Sequence, residues 1–293
     1  DMNQSPVHRL DHLVLCVRDL NAARALYERL GFTTTPPAEH PFGTGNSLIQ
    51  LDGNFLELLA VVAPDKIPPP KTGHFGFADR ARSFLECREG MALLALDSTD
   101  ARRDLAAFQA AGLTTYAPID FSRCTTLPDG SAATVSFSLA MTTVANMPEA
   151  AFFVCQQHEP ENFWRREYQR HENGASRVEE VIMAAPAPQA VAGFLERMSG
   201  GEVTGEPGQV TITLGQGCIS VLGPARFTKR FPGTPFRAET PIFVGFRLLV
   251  VDLAASEARL RQGGITIKGE PGRPWIGPED THGVIIELAA ETS

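Results

Sequence analysis

Leu10-Asp11-His12-Leu13-Val14-Leu15-Cys16-Val17 is the stretch from which the rest of the chain is read. It is apolar and rich in branched side chains, which predicts a strand. Asp19 follows as a helix N-cap. Leu20, Ala23, Leu26, Tyr27 and Leu30 then recur at helical spacing until Gly31 stops the helix. Residues 32–35 form a short extended stretch and residues 46–51 a strand. Asp52-Gly53 is a hairpin turn, and residues 54–61 make another strand. The unit reads β-α-β-β-β.

The same unit recurs. Val250-Val251-Asp252-Leu253 matches Val17-Arg18-Asp19-Leu20, and the helix after it ends at Gly263-Gly264. Gly283-Val284-Ile285-Ile286-Glu287-Leu288 matches Gly53-Asn54-Phe55-Leu56-Glu57-Leu58. Two weaker copies lie between. One starts at Met91–Leu96, with a helix anchored by Leu105 and Phe108 and later strands at 132–139 and 151–155. The other starts at Val178–Ala184, with a helix stripe of Val191, Phe194, Leu195 and Met198 that stops at Gly200-Gly201. Four copies make a closed repeat architecture rather than a solenoid. The expected fold class is α+β. The expected division is residues 1–158 for the first two units, 159–176 for a connector, and 177–293 for the third and fourth units.

Composition bounds the function. The 293 residues carry a net charge of −8 and no long Lys/Arg run, which argues against nucleic-acid or anionic-membrane partners. Five scattered cysteines without a CxxC pair read as buried free thiols of a reducing compartment. Residues 1–6 show no basic segment leading into an apolar one, so a cytoplasmic protein is expected. No GxGxxG follows a strand, and there is no P-loop, HExxH or GxSxG.

The unit, the opening Leu10–Val14, the loop His40-Pro41-Phe42-Gly43-Thr44-Gly45-Asn46 and Phe55-Leu56-Glu57-Leu58 together resemble the glyoxalase-like branch of the vicinal oxygen chelate superfamily. The match is specific over residues 8–62, weaker over 241–290, and architectural between them. The resemblance implies two cupped, incomplete barrels of mixed sheet. It also implies a metal held by residues on the first and last strands of two facing units. The first-strand positions are His12, Leu93, Glu180 and Gly245. The last-strand positions are Glu57, a residue near Cys155, Ser220 and Glu287.

Which units face each other decides the ligand set. If units one and four pair, the cup holds His12, Glu57 and Glu287, and Gly245 leaves an open position. This pairing is favoured because those two units are the most alike. If units pair in sequence order, one cup has His12 and Glu57, with Cys155 nearby, and the other has Glu180 and Glu287. Glu57 and Glu287 each interrupt an apolar strand. A carboxylate there faces a solvated groove, binds a cation or joins a buried salt bridge.

Three functions are consistent with this pattern. The first is a lyase or isomerase acting on a small oxygen-chelating carbonyl compound. It would use a divalent Zn, Ni, Mn or Fe on His12, Glu57 and Glu287, with Glu57 or Glu287 as the general base. The second is a metal-free module that binds or sequesters a small molecule. The third is a ring-cleaving dioxygenase, which ordinarily needs two His and a carboxylate on iron. Thr44, Asn46 and His158 are the substrate-binding expectations, with His40 beside them. His282 is expected to be exposed, and the chain is expected to be a monomer or homodimer.

Overall fold

The computed structural model describes residues 6–292; residues 1–5, part of the N-terminal stretch read above for a targeting segment, lie outside it. The first unit comprises β1 (Leu10–Cys16), α1 (Leu20–Arg29), β2 (Ala38–Glu39), β3 (Thr44–Gln50) and β4 (Phe55–Val61). Next come α2 (Phe77–Cys87), β5 (Gly90–Asp97), α3 (Ala101–Ala110), β6 (Thr114–Thr115), β7 (Ile119–Thr126), β8 (Ala132–Thr143), β9 (Ala151–Gln157) and the short α4 (Pro160–Phe163). The third unit runs through β10 (Ala175–Ala184), α5 (Gln189–Ser199), β11 (Glu202–Glu206), β12 (Gln209–Thr213) and β13 (Cys218–Leu222), with α6 (Pro224–Arg230) after it. The fourth is β14 (Ile242–Val250), α7 (Leu253–Gln262), β15 (Trp275–Ile276) and β16 (Ile285–Ala290).

Local chemistry sets the helix starts as expected. Asp19, Asp100 and Asp252 each accept a hydrogen bond from a backbone N–H in the first turn of the helix that follows. These three aspartates recur at the same place in the repeat. In the third unit Pro188 stands there and makes no side-chain cap, while Gly200 ends α5 in the left-handed region.

The strands form two mixed sheets. The first runs β2-β3-β4-β1-β5-β9-β8-β6, with β7 paired to β8, and the second runs β11-β12-β13-β10-β14-β16-β15. Each is two repeats joined through their first strands, β1 antiparallel to β5 and β10 antiparallel to β14. Units therefore pair in sequence order, and the one-plus-four pairing is corrected. Similarity between units one and four reflects a shared local pattern. The partner of a first strand is set by which neighbour the chain can reach and cover, and β5 and β14 follow directly in the chain.

Strand alternation splits the apolar residues between two faces. Leu13, Leu15, Leu94, Leu96, Phe152 and Val154 of the first sheet share one core with Val181, Met183, Phe246 and Leu248 of the second. Phe152 touches both Phe194 and Phe243 across this junction. The Asn54 amide donates to the Val178 carbonyl and accepts from the Val178 N–H, tying the two halves together. The opposite faces are concave, and each has its own apolar cluster.

Gly245 leaves no open position. A Cβ there would lie 2.1 Å from the Ile285 carbonyl oxygen, so the backbone of β16 fills the space a ligand side chain would need. Gly245→Ala should therefore destabilise the chain by about 1–3 kcal/mol, because the obstacle is backbone rather than a movable side chain. A urea midpoint equal to that of the parent would contradict this packing.

Candidate functional site

The first cup encloses a cavity of about 960 Å³. That size suits a small organic molecule. His12 and Val14 of β1, Phe55, Glu57 and Leu59 of β4, and Phe153 and Cys155 of β9 form its floor. Phe121 and Arg123 of β7 and Phe137 and Leu139 of β8 make one wall. The His40–Thr44 loop and residues 67–79 frame the mouth.

His12 is the best-held polar group on the floor. The register of β1 on β5 shifts between Leu10 and His12, and at this irregularity Asp11 is buried beside His12. The His12 Nδ1–H donates to Asp11 Oδ2 at 2.6 Å, which fixes the ring and leaves Nε2 facing the cavity. The imidazole stacks on Phe55 at 4.3 Å between centroids and meets Phe153 edge-on at 5.3 Å. Glu57 Oε2 lies 3.6 Å from His12 Nε2, and Asn46 Nδ2 donates to Glu57 Oε1 at 2.9 Å. Asn46 is delivered to Glu57 by the pairing of β3 with β4.

His40 shares a 2.8 Å hydrogen bond with the Thr44 hydroxyl. Burial pushes the His40 ring below the ordinary histidine value; Glu57 opposes the shift and Arg123 adds to it. Gly43 makes this turn at φ +97°, and a Cβ there would meet the Ala63 carbonyl oxygen at 2.6 Å. Only glycine fits so close to the neighbouring chain.

The resemblance implies a metal, and the strand register shows which residues would hold it. His12 is level with Phe55 in the β1–β4 pair, and Leu93 is level with Ala151 in the β5–β9 pair. Counting two residues on gives Glu57 in the first unit and Phe153, not Cys155, in the second. Two of the four ligand positions therefore carry Leu93 and Phe153, which cannot ligate. Cys155 offers its sulfur within 4.8 Å of ligand atoms of Asp11 and His12. Burial, with Asp11 and Glu57 nearby, pushes that thiol well above its ordinary value. The four matched positions supply one imidazole and one carboxylate, short of the three ligands an open catalytic site ordinarily has, and Asp11 and Cys155 are the further donors beside His12. The matched positions by themselves do not make a complete metal site.

Glu287 does not reach this cup. It lies on β16 in the second sheet, buried with Glu180 of β10. Arg230, at the end of α6, binds both. Its Nη1 and Nη2 donate to Glu180 at 3.0 and 2.6 Å, and its Nε and Nη2 donate to Glu287 at 3.0 and 2.9 Å. Arg247 Nε adds a 2.7 Å bond to Glu287. Burial pushes both carboxyls up, yet the hydrogen bonds and charges of Arg230 and Arg247 outweigh it and hold them below their ordinary value. Phe227 of α6 and Phe231 just after it pack with Trp275 over the same concave face. Of the environments open to Glu287 in the sequence, the buried salt bridge is the one it occupies. It is neither a partner of His12 nor free to act as a base.

Thr44 and Asn46 line the first cup, whereas His158 does not. His158 is exposed, and its Nε2 bonds the Ser138 hydroxyl, which donates to Asp120. His282 is half-buried at φ +56° with Nδ1 2.9 Å from Glu89, so the expectation of exposure is corrected. The cysteines divide: Cys16 and Cys155 are buried, Cys218 is intermediate, and Cys87 and Cys124 are exposed, with all five free. Sequence reading missed Asp11, Arg123 and the aromatic wall. Alternation of Ile119, Phe121 and Arg123 is the signal that could have found the second, but the stretch reads as an insertion in a weak copy.

Two joined repeats with a polar floor in an apolar cup define a protein of the cupped βαβββ class. The chain belongs to the glyoxalase-like domain family, whose model matches residues 10–199. No curated protein matches it. Among solved structures, a hypothetical protein from Staphylococcus aureus aligns at TM-score 0.70 with 13% identity, covering 97% of this chain and 100% of that one. A variant of 4-hydroxymandelate synthase from Streptomyces coelicolor aligns at 0.61 with 14% identity, covering 99% and 95%. A Mn(II)-bound glyoxalase from Novosphingobium aromaticivorans aligns at 0.60 with 12% identity, covering 99% and 84%. At such identities the likeness is one of fold. Among the described residues no helix is long and apolar enough to cross a membrane.

Proposed function

We propose that the first cup binds a small carbonyl compound with an apolar, aromatic body and moves a proton at the carbon next to the carbonyl, without a resident metal. The observation that carries this reading is the pair His12 Nε2 and Glu57 Oε2. They face each other at 3.6 Å on the floor of an aromatic-lined cavity whose other two ligand positions are Leu93 and Phe153. Glu57 would take the proton as general base, with Asn46 fixing the orientation of its carboxylate. His12, its Nδ1–H held by Asp11, would in its doubly protonated form donate Nε2–H to the substrate oxygen on which charge develops. The aromatic wall would exclude water and strengthen both interactions. An iron-dependent ring-cleaving reading gains no support, since a second histidine is missing from the matched positions.

The test is solvent deuterium uptake at the methylene of phenylacetone, followed by NMR on untagged protein before and after chelator treatment. Exchange catalysed by the protein should survive chelation. Exchange that vanishes with chelator and returns with a divalent ion would overturn the metal-independent reading.

A further inference from the structure

Arg123 projects into the first cup from β7, the third inward residue of the series Ile119, Phe121, Arg123. Among the described residues its guanidinium makes no ion pair within 4.0 Å and no hydrogen bond. The neighbouring Arg165 is engaged elsewhere, donating to the Thr125 hydroxyl at 3.2 Å and to the Thr126 carbonyl. Glu57, an anion whose charge acts on Arg123, already accepts from Asn46 and faces His12. Burial pulls Arg123 below its ordinary value, Glu57 opposes this, and Arg165 adds to the lowering. Arg123 is half-buried at the cavity wall, and a cation partly shielded from water without a partner offers a place for an anion from outside the chain.

We propose that the carbonyl compound of the first cup also carries a carboxylate, which pairs with Arg123, and an aryl ring, which packs against Phe121, Phe137 and Phe153. This rests on the small-molecule reading of the cup and narrows its ligand. The planar guanidinium matches a carboxylate through two parallel N–H···O bonds. The three phenylalanines supply an apolar surface beside the charge, all lining the same cavity.

Calorimetry tests this with phenylacetate, 3-phenylpropionate and 2-naphthoate, each against its primary amide, which keeps the shape and removes the charge. At least one acid should bind the native chain about 30-fold more tightly than its amide, the loss expected when a buried charge pair lacks one partner. Arg123→Gln should abolish that preference while leaving amide affinity within about threefold. Should Arg123→Gln fail to fold, Arg123→Lys decides instead. It keeps the charge but loses the fork, so acid affinity should fall and amide affinity should not. Acid and amide binding equally to the native chain, or a preference that survives Arg123→Gln, overturns the anion inference and leaves the cup as a small-molecule site. If neither acids nor amides bind, the reading of the cup falls with it.

Discussion

Arg230→Met should lower the stability of the chain by about 3–5 kcal/mol, the usual consequence of removing one partner from a buried ion pair. Arg230 is the group that both Glu180 and Glu287 share, and the side chains of those carboxylates are 5% and 6% exposed. Arg247 would remain, 25% exposed, with its 2.7 Å bond to Glu287 and a longer 3.4 Å contact with Glu180, so Glu180 would lose its closest cation. Urea unfolding checks the magnitude, and an unchanged midpoint would refute the role assigned to Arg230. The same network gives a pH signature. Both carboxyls titrate below their ordinary value of 4.5 in the folded chain. The folded state thus binds fewer protons than the unfolded state in this range. Their contribution is complete above about pH 4.5 and is lost as pH falls through the lowered folded values. The native chain should lose stability steeply there, and the Arg230→Met variant less so.

Glu57→Gln should slow deuterium uptake into bound phenylacetone by about 10²–10⁴-fold, the range a positioned general base ordinarily contributes. The amide keeps nearly the same shape and still offers an oxygen to Asn46 Nδ2, so ligand affinity should change little. NMR exchange rates at saturating ketone measure the first quantity and calorimetry the second. Equal exchange in variant and parent would remove Glu57 from the chemistry, whatever becomes of binding.

The two cups use the same scaffold differently. Each is built from its own pair of repeats, with the same four positions. In the first, His12 and Glu57 remain, and Leu93 and Phe153 have taken the other two. In the second, Glu180 and Glu287 remain, and the guanidinium of Arg230 lies between them, with Phe227 of α6 and the following Phe231 packed on the concave face. A charged side chain supplied by the chain itself neutralises those two carboxylates, so no external cation is required to stabilise them.

The sequence by itself determined the unit. Period-2 apolar strands, period-3.6 helices, aspartate caps and glycine stops are local features. Each is decided within a few residues, and so β-α-β-β-β was legible four times over. His12, Thr44, Asn46 and Glu57 were legible too, because each sits in the most regular copy. Tertiary structure alone decided which units face each other, and with that the company of every site residue. A strand such as Ile285–Ala290 reads the same whether its carboxylate meets His12 or Arg230, since the partner comes from a segment 57 residues away along the chain. Arg123 lay hidden for the same reason. Its alternation shows that it points inward, but only the closing of β7 and β8 over the first cup shows what it faces.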